Sequence, residues 1–440
     1  MNYKSKKLLY LERILKLMAI LVLKKYGPKI IGITGSVGKS STKEAVFTVL
    51  ATHYRTRKNE KNYNNEIGLP LTVIGSESGG KSFWGWTKVS LKWLGTILFP
   101  LEYPEVLVLE MAADRPGDMK YLVDFIKPQM GILTDISGSH MEFFKNLEGI
   151  TREKGELVKN LGEKGTAILN IDNPQIKKIK NQTKAKNITF GFSEEADVRA
   201  TDVHYNYLDT ANPNDAEIRG ISFKLNYKGT TIPMRLNNIL AEHNIYAALA
   251  GVAVGLEMGL NLVEIGAALE SFVLPYGRMN LIPGIKNSAI IDDTYNSSPI
   301  SAIAALKVLG EIKGKRKIAV LGDMLELGPD TEEGHREIAR KFLEIKGDML
   351  IAVGRRMKYA VDELTKHNTD EKRIIVFDDP MSAGRKLQEV MEEGDIILVK
   401  GSQGMRMEKV VEEVMSEPNR AAEYLCRQDK KWKNKPWREV

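Results

Sequence analysis

Ile30-Ile31-Gly32-Ile33-Thr34-Gly35-Ser36-Val37-Gly38-Lys39-Ser40-Ser41-Thr42-Lys43 decides how this chain is read. A β-branched run enters a glycine-rich turn, the turn ends in Lys-Ser, and the helical pattern Glu44-Ala45-Val46-Phe47-Thr48-Val49-Leu50 follows. Strand, phosphate-cradling loop and helix N-terminus are written there in that order. Backbone N–H groups and the helix dipole favour a polyphosphate, Lys39 reaches its terminal phosphates, and Ser40 is placed to ligate Mg²⁺. The spacing departs from the usual G-x-x-x-x-G-K-S pattern. Ile33 occupies the first glycine position, and Gly32 lies one residue earlier. The plain alternative is a strand-to-helix turn without a ligand, and the Gly-Lys-Ser ending with both flanking elements argues against it.

The rest of the chain supports a large α/β protein. Its 440 residues, 43% hydrophobic, suffice for two or three cores. Strand and helix patterns alternate, which indicates parallel sheets. The net charge of +7 is modest for this length, and no nucleic-acid module accompanies it. One cysteine, Cys426, rules out an intrachain disulfide and fits a reducing compartment. No internal repeat is visible.

Lys and Arg gather at both ends. In residues 1–28, the apolar run Leu8 to Leu23 is broken by Glu12, Arg13 and Lys16 and flanked by Lys4, Lys6, Lys7, Lys24 and Lys25. A spanning helix needs about 20 largely uncharged residues, so this run does not cross a bilayer. No small-residue cleavage site marks it as a signal peptide. Two readings remain, an amphipathic helix packed on the protein or an interfacial helix on anionic lipid. Trp84-Gly85-Trp86-Thr87-Lys88-Val89-Ser90-Leu91-Lys92-Trp93-Leu94, running to Phe99, repeats the mixture of basic, aromatic and apolar residues. The expected setting is the cytoplasm, with helices packed on the protein as the first reading and peripheral contact at the inner face of the membrane as the alternative. Residues 419–440 read as a basic tail with Trp432 and Trp437.

Val106-Leu107-Val108-Leu109-Glu110 is a buried-strand run that delivers a carboxylate at its C-terminal end, where ligands of parallel sheets gather. An acidic group there completes a Mg²⁺ shell around bound phosphates. The strand Gly131 to Asp135 leads to Ser137-Gly138-Ser139-His140, and Leu147 to Leu157 reads as a helix carrying Lys154. Taken alone, His140 would be a structural or solvated residue, though its place after a second strand end favours function, and Lys154 would be a solvated surface residue. In the second half, strands at Ser288–Ile291, Lys317–Leu321, Met349–Val353, Ile374–Phe377 and Ile396–Val399 alternate with helices as in a Rossmann-like sheet. The domains expected are 29–276, a central ATP-binding domain, and 277–418, a Rossmann-like C-terminal domain.

The ordered motifs resemble those of the Mur ligases. They are Thr34 to Ser40, Asn64-Asn65-Glu66-Ile67-Gly68, Leu109-Glu110-Met111, Ser139-His140-Met141-Glu142, Lys154-Gly155-Glu156, His243-Asn244, Gly277-Arg278-Met279, Asp292-Asp293-Thr294-Tyr295-Asn296, Gly322-Asp323-Met324-Leu325-Glu326-Leu327-Gly328 and Lys400-Gly401-Ser402-Gln403-Gly404-Met405-Arg406-Met407. The last three are most similar to the branch that adds D-alanyl-D-alanine. The resemblance implies an enzyme that uses ATP and Mg²⁺ to activate the carboxylate of a UDP-muramoyl peptide as an acyl phosphate, which an amine then attacks. It implies nucleotide contacts from Thr34, Gly35, Ser36, Val37, Gly38, Lys39, Ser40, Ser41, Asn244, Arg278 and Asp293. It implies metal contacts from Ser40, Glu110, His140 and Lys154, the last as a carbamate. Catalytic roles fall to Lys39, His140, Lys154 and Arg278. Asn64, Asn65, Tyr295, Asn296, Lys400, Ser402 and Arg406 would face substrate. A monomer is expected.

Three departures accompany the resemblance. About 30 residues precede the first strand, too few for the family's N-terminal UDP-binding domain. Ala247 stands where many relatives carry an Asn that contacts adenine. Asp114-Arg115-Pro116-Gly117 and Ser297-Ser298-Pro299 replace the more usual Asn-His-Pro-Gly and Ala-Asn-Pro. Two alternatives stay open at this level: a Mur-type ligase with a different amine, and a nucleotide-binding scaffold that forms no bond.

Overall fold

The central parallel strands of this chain are apolar on both faces, as burial between helix layers requires. Strand β1 (Lys29–Thr34), β3 (Val106–Glu110), β4 (Met130–Leu133) and β5 (Thr166–Asn170) are almost entirely buried. The computed structural model describes residues 6–60, 63–138, 144, 146–208 and 218–433. It divides into two compact units, one of residues 1–203, 223–235 and 242–272 and one of 204–222, 236–241 and 273–440. The sequence reading set the boundary at 276/277 and assigned no part of 204–241 to the second unit.

The first unit holds β2, β3, β1, β4, β5 and β6 and parts of β7, β8 and β9 of a sheet of order β2-β3-β1-β4-β5-β6-β7-β8-β9. Here β2 is Thr56–Lys58, β6 Lys186–Gly191, β7 Val198–Tyr207, β8 Ile218–Tyr227 and β9 Thr230–Asn237. Pairing is parallel from β2 to β7. Strand β1 lies between β3 and β4, in register from Lys29 opposite Val106 to Ile33 opposite Glu110. Strands β2 and β7–β9 went unread in the sequence. In β7 and β8 the half-buried alternation of a solvated sheet replaces the continuous apolar runs.

Helices cover this sheet: α1 (Lys6–Tyr26), α2 (Lys39–Leu50), α3 (Gly68–Ile74), α4 (Phe83–Leu98), α5 (Asp118–Ile126) and α6 (Leu147–Lys159). Helix α7 (Ile245–Glu257) is rich in alanine and packs on α2, where a Cβ on Gly251 would meet the Ala45 backbone at 3.3 Å. Among the described residues no helix is long and apolar enough to cross a membrane.

The second unit has a six-stranded sheet of order β10-β11-β15-β12-β13-β14. The strands are β10 (Asn280–Pro283), β11 (Ala289–Asp293), β12 (Lys317–Gly322), β13 (Met349–Val353), β14 (Ile374–Phe377) and β15 (Ile396–Lys400). All pair in parallel except β10 with β11. The stretch expected as a basic tail is folded onto this unit at least as far as Trp432, whose carbonyl accepts from Arg406 at 3.0 Å. Leu425, Cys426 and Arg427 are buried, and Arg427 donates to the Thr294 carbonyl and pairs with Glu408 at 2.7 Å. Burial pushes the Cys426 thiol up to about 12, so it is protonated and inert at neutral pH.

Helix α6 is held by Ile150, Leu157 and Val158, all fully buried. Replacing Leu157 with Ala is expected to cost about 2–5 kcal/mol, read as a lowered urea midpoint with an unchanged slope.

Candidate functional site

In the first unit, three neighbouring strand ends form the mouth of the sheet. The loop after β1 needs glycine at two places. A Cβ on Gly35 would lie 2.0 Å from Thr134 Oγ1, and Gly38, capping α2, adopts φ +81°. Thr134, just past β4, donates from Oγ1 to the Val37 carbonyl at 2.6 Å. Ser36 N–H donates to the Asp135 carbonyl, and Ser36 Oγ bridges to Ser137. Lys39 folds back onto its own loop and donates to the Gly35 and Ser36 carbonyls at 2.8 and 3.3 Å. A lysine curled over the cradle is positioned to meet an incoming phosphate.

Glu110 ends β3 as expected, and its carboxylate is held on both oxygens. Ser40 Oγ donates to Oε2 at 2.8 Å and Asn64 Nδ2 donates to Oε1 at 3.0 Å. Asn59, fully buried, fixes the Glu110 backbone by accepting from its N–H at 2.8 Å and donating to its C=O at 3.2 Å. Lys43 in turn donates to the Asn59 carbonyl. Asn59 and Thr134 were missed by sequence reasoning. For Thr134 the signal was available, since it follows directly on the apolar run of β4, whereas Asn59 follows the short polar strand β2.

Lys154 lies on the core side of α6 between Ile150 and Leu157, 2% exposed. Burial lowers its pKa to about 8 and the charge of Lys39 adds to this, against the pull of Asp114, Glu153 and Asp135. Its neighbour Glu153 accepts from the Gly117 and Met119 N–H groups at the start of α5. Asn244 is buried with its amide Nδ2 unpartnered among the described residues, and Thr34 Oγ1 is likewise unpartnered. Asn65 was expected to face substrate, but its side chain caps α3, accepting from the Ile67 and Gly68 N–H groups. His140 and the adjoining Met141 and Glu142 lie outside the described residues. Val37 is exposed at the loop tip, and Ser41 is half-buried in the first turn of α2.

The second unit gathers its candidates where β11 and β15 end side by side. Lys400 was expected to be open to a substrate carboxylate. It is buried and spent, bonding Asp293 Oδ2 at 2.6 Å and the Asn296 carbonyl at 2.9 Å. Arg406 is buried against Glu408 and the Trp432 carbonyl. Ser402 Oγ accepts from Leu325 N–H and donates to the Ser297 carbonyl. These three side chains frame the strand ends. Exposed Arg278 stacks on Tyr295, with the guanidinium 4.2 Å from the ring centre, and Asn296 is exposed. Asp292, fully buried, accepts from Thr294 and leaves Oδ2 unpartnered among the described residues. Burial raises its pKa to about 7, and the charges of Asp293 and Glu408 push the same way.

A phosphate loop and a pinned carboxylate on one parallel sheet, ahead of a second, Rossmann-like unit, are the build of an ATP-dependent ligase. The Mur ligase middle domain matches residues 91–255 and the Mur ligase glutamate ligase domain residues 277–403, and the chain belongs to the Mur ligase family. Within the family it is similar to UDP-N-acetylmuramoyl-tripeptide–D-alanyl-D-alanine ligase of Bacillus subtilis, 30% identical over 405 residues, which cover 92% of this chain and 79% of the relative. The Escherichia coli ligase of the same name is 28% identical, over 87% of this chain and 76% of its own. Among solved structures, MurF of Thermotoga maritima in complex with ADP superposes with a TM-score of 0.72 at 26% identity, over 91% of this chain and 83% of that one. One structure of MurF from Acinetobacter baumannii gives 0.73 at 26% identity, over 91% and 79%.

Two substitutions test these local arrangements. Gly35→Ala is expected to weaken ATP binding at least about tenfold in calorimetry while the circular dichroism spectrum is kept. Asp292 has a folded-state pKa above its unfolded value, so it contributes stability at low pH that is lost as pH rises from about 4 through about 7. Asp292→Asn is expected to flatten that decline in melting temperature between pH 5 and 8.

Proposed function

We propose that the protein adds D-alanyl-D-alanine to a UDP-N-acetylmuramoyl tripeptide in peptidoglycan precursor synthesis. The Bacillus subtilis and Escherichia coli relatives carry that activity in their names. The carrying observation is local. Ser40 and Glu110 converge at the phosphate loop, with a buried lysine, Lys154, coupled to Lys39. Binding of ATP alone does not call for such a lysine.

The substrate carboxylate attacks the γ-phosphorus of ATP and ADP leaves; the amine then attacks the acyl carbon, losing a proton as phosphate departs. The protein's task is to position these groups and neutralise phosphate charge. Lys39 and the loop N–H groups hold the phosphates. The Ser40 hydroxyl and Glu110 carboxylate, 2.8 Å apart, fit a hard divalent cation and would hold Mg²⁺, joined by His140. Bound there, the metal supplies positive charge to the phosphate oxygens. Asn64 and Asn59 keep the Glu110 carboxylate aimed.

Lys154 matches the lysine that the family carbamylates. A pKa of about 8 leaves a neutral amine fraction able to add CO₂ with release of a proton. The product is anionic, so repulsion from Lys39 becomes attraction. Asn244 offers its unpartnered amide to the nucleotide. Arg278 and Asp293 are assigned to the nucleotide, and Tyr295 and Asn296 to substrate. Lys400 and Arg406 act by holding Asp293 and Glu408. ATP and a nucleotide-activated precursor fit a cytoplasmic setting.

The direct test is phosphate release from ATP with UDP-muramoyl tripeptide, which must depend on added D-alanyl-D-alanine. Equal turnover without either substrate would refute the ligase reading, and dependence on another amine would reassign the acceptor. Lys154→Ala is expected to lower ligation on the order of 100-fold or more, with partial recovery in added short carboxylates. A fully active variant would refute the carbamate.

A further inference from the structure

Helices α1 and α4 each carry two apolar faces, one packed and one exposed. The inner side of α1 (Leu15, Met18, Ala19, Val22) and that of α4 (Trp86, Val89, Trp93) are packed into the first unit. The outer side of α1 carries Tyr10, Ile14, Leu17 and Leu21, spaced four, three and four residues apart, which places them in one stripe. The outer side of α4 carries Trp84, Leu91 and Leu98, seven residues apart, with Leu94 beside them. Leu17 is 61% exposed, Leu91 and Leu98 64% each, and Trp84 77%. A surface helix of a soluble protein is normally polar on that side.

The two helices run side by side and parallel. Trp93 Nε1 donates to the Met18 carbonyl at 3.1 Å, and the Tyr26 hydroxyl donates to the Thr96 carbonyl at 2.8 Å. Lys25 caps the end of α4, donating to the carbonyls of Thr96, Ile97 and Phe99. Lys16, on the opposite flank of α1, lies over the Tyr121 and Phe125 rings of α5. The outer stripe of α1 therefore lies away from the α5 flank, and both stripes are exposed on helices that pack side by side.

Charge decides what covers them. The two helices carry Lys6, Lys7, Arg13, Lys16, Lys24, Lys25, Lys88 and Lys92 against one acidic residue, Glu12, which is buried. A second copy of this surface would bring the same positive charge against it. An anionic bilayer is complementary, accepts leucines and isoleucines below the headgroups, and takes tryptophan and tyrosine at the interface. Neither helix can cross the bilayer, so both would lie in its plane.

We propose that α1 and α4 form an interfacial docking surface for anionic lipid, holding the ligase unit on the membrane face. This goes beyond the ligase reading and does not depend on it. The test is co-sedimentation of the full chain with vesicles of phosphatidylglycerol and phosphatidylcholine, beside vesicles of phosphatidylcholine alone. The expected result is binding to the anionic vesicles, reduced at 0.5 M salt and lowered at least about tenfold by Leu91→Glu/Leu98→Glu. Retained ATP binding shows that this variant is folded. Lys6→Ser/Lys7→Ser/Lys24→Ser, on exposed side chains, is expected to remove the preference for anionic lipid. Absence of binding to anionic vesicles at low salt would overturn the proposal, as would binding that the double glutamate variant leaves unchanged. A dimer in sedimentation velocity that dissociates in that variant, without vesicle binding, would assign the surface to a second copy and overturn it equally.

Discussion

The position of β1 between β3 and β4 is the constraint on which the first unit's site depends. In-register parallel pairing brings the loop after β1, the Glu110 carboxylate and the Thr134 hydroxyl to one edge. Each then limits the others. Thr134 ties down Val37 and leaves no room for a side chain at residue 35, while Ser40 reaches Glu110 because α2 starts where the loop is held. Parallel strands without this order would scatter the same residues along the sheet.

Lys154 shows how a core position can carry chemistry. Its place in the helical period belongs to an apolar residue, and Ile150, Leu157 and Val158 fill the rest of that face. A cation there loses hydration and is pressed by Lys39, so the protein keeps an amine easily deprotonated. The second unit handles buried charge differently. Asp293 with Lys400, and Glu408 with Arg406 and Arg427, are paired within hydrogen-bond distance. Breaking one partner of such a pair leaves the other charge stranded.

Much of this was legible in the sequence because it is local. The loop between β1 and α2, the carboxylate ending β3 and each single strand or helix of the alternation over 288–400 are written within some dozen residues. What escaped depends on contacts between distant segments. Asn59 matters because β2 pairs with β3, and Thr134 because β4 flanks β1. Strands β7–β9 alternate at a half-buried period that a search for continuous apolar runs passes over. Strand-end position suggested that Lys400 and Arg406 were open cations, and position alone does not reveal Asp293 or Glu408 beside them. Asn65 was read as a ligand when its amide serves a helix end.

Cys426 has a practical consequence. The chain's one thiol is shut inside the second unit and held in its unreactive form. Maleimide reagents would therefore find almost no background on the native protein. A cysteine introduced at an exposed position, such as the outer stripe of α4, could carry a single fluorophore or spin label without first removing a natural one.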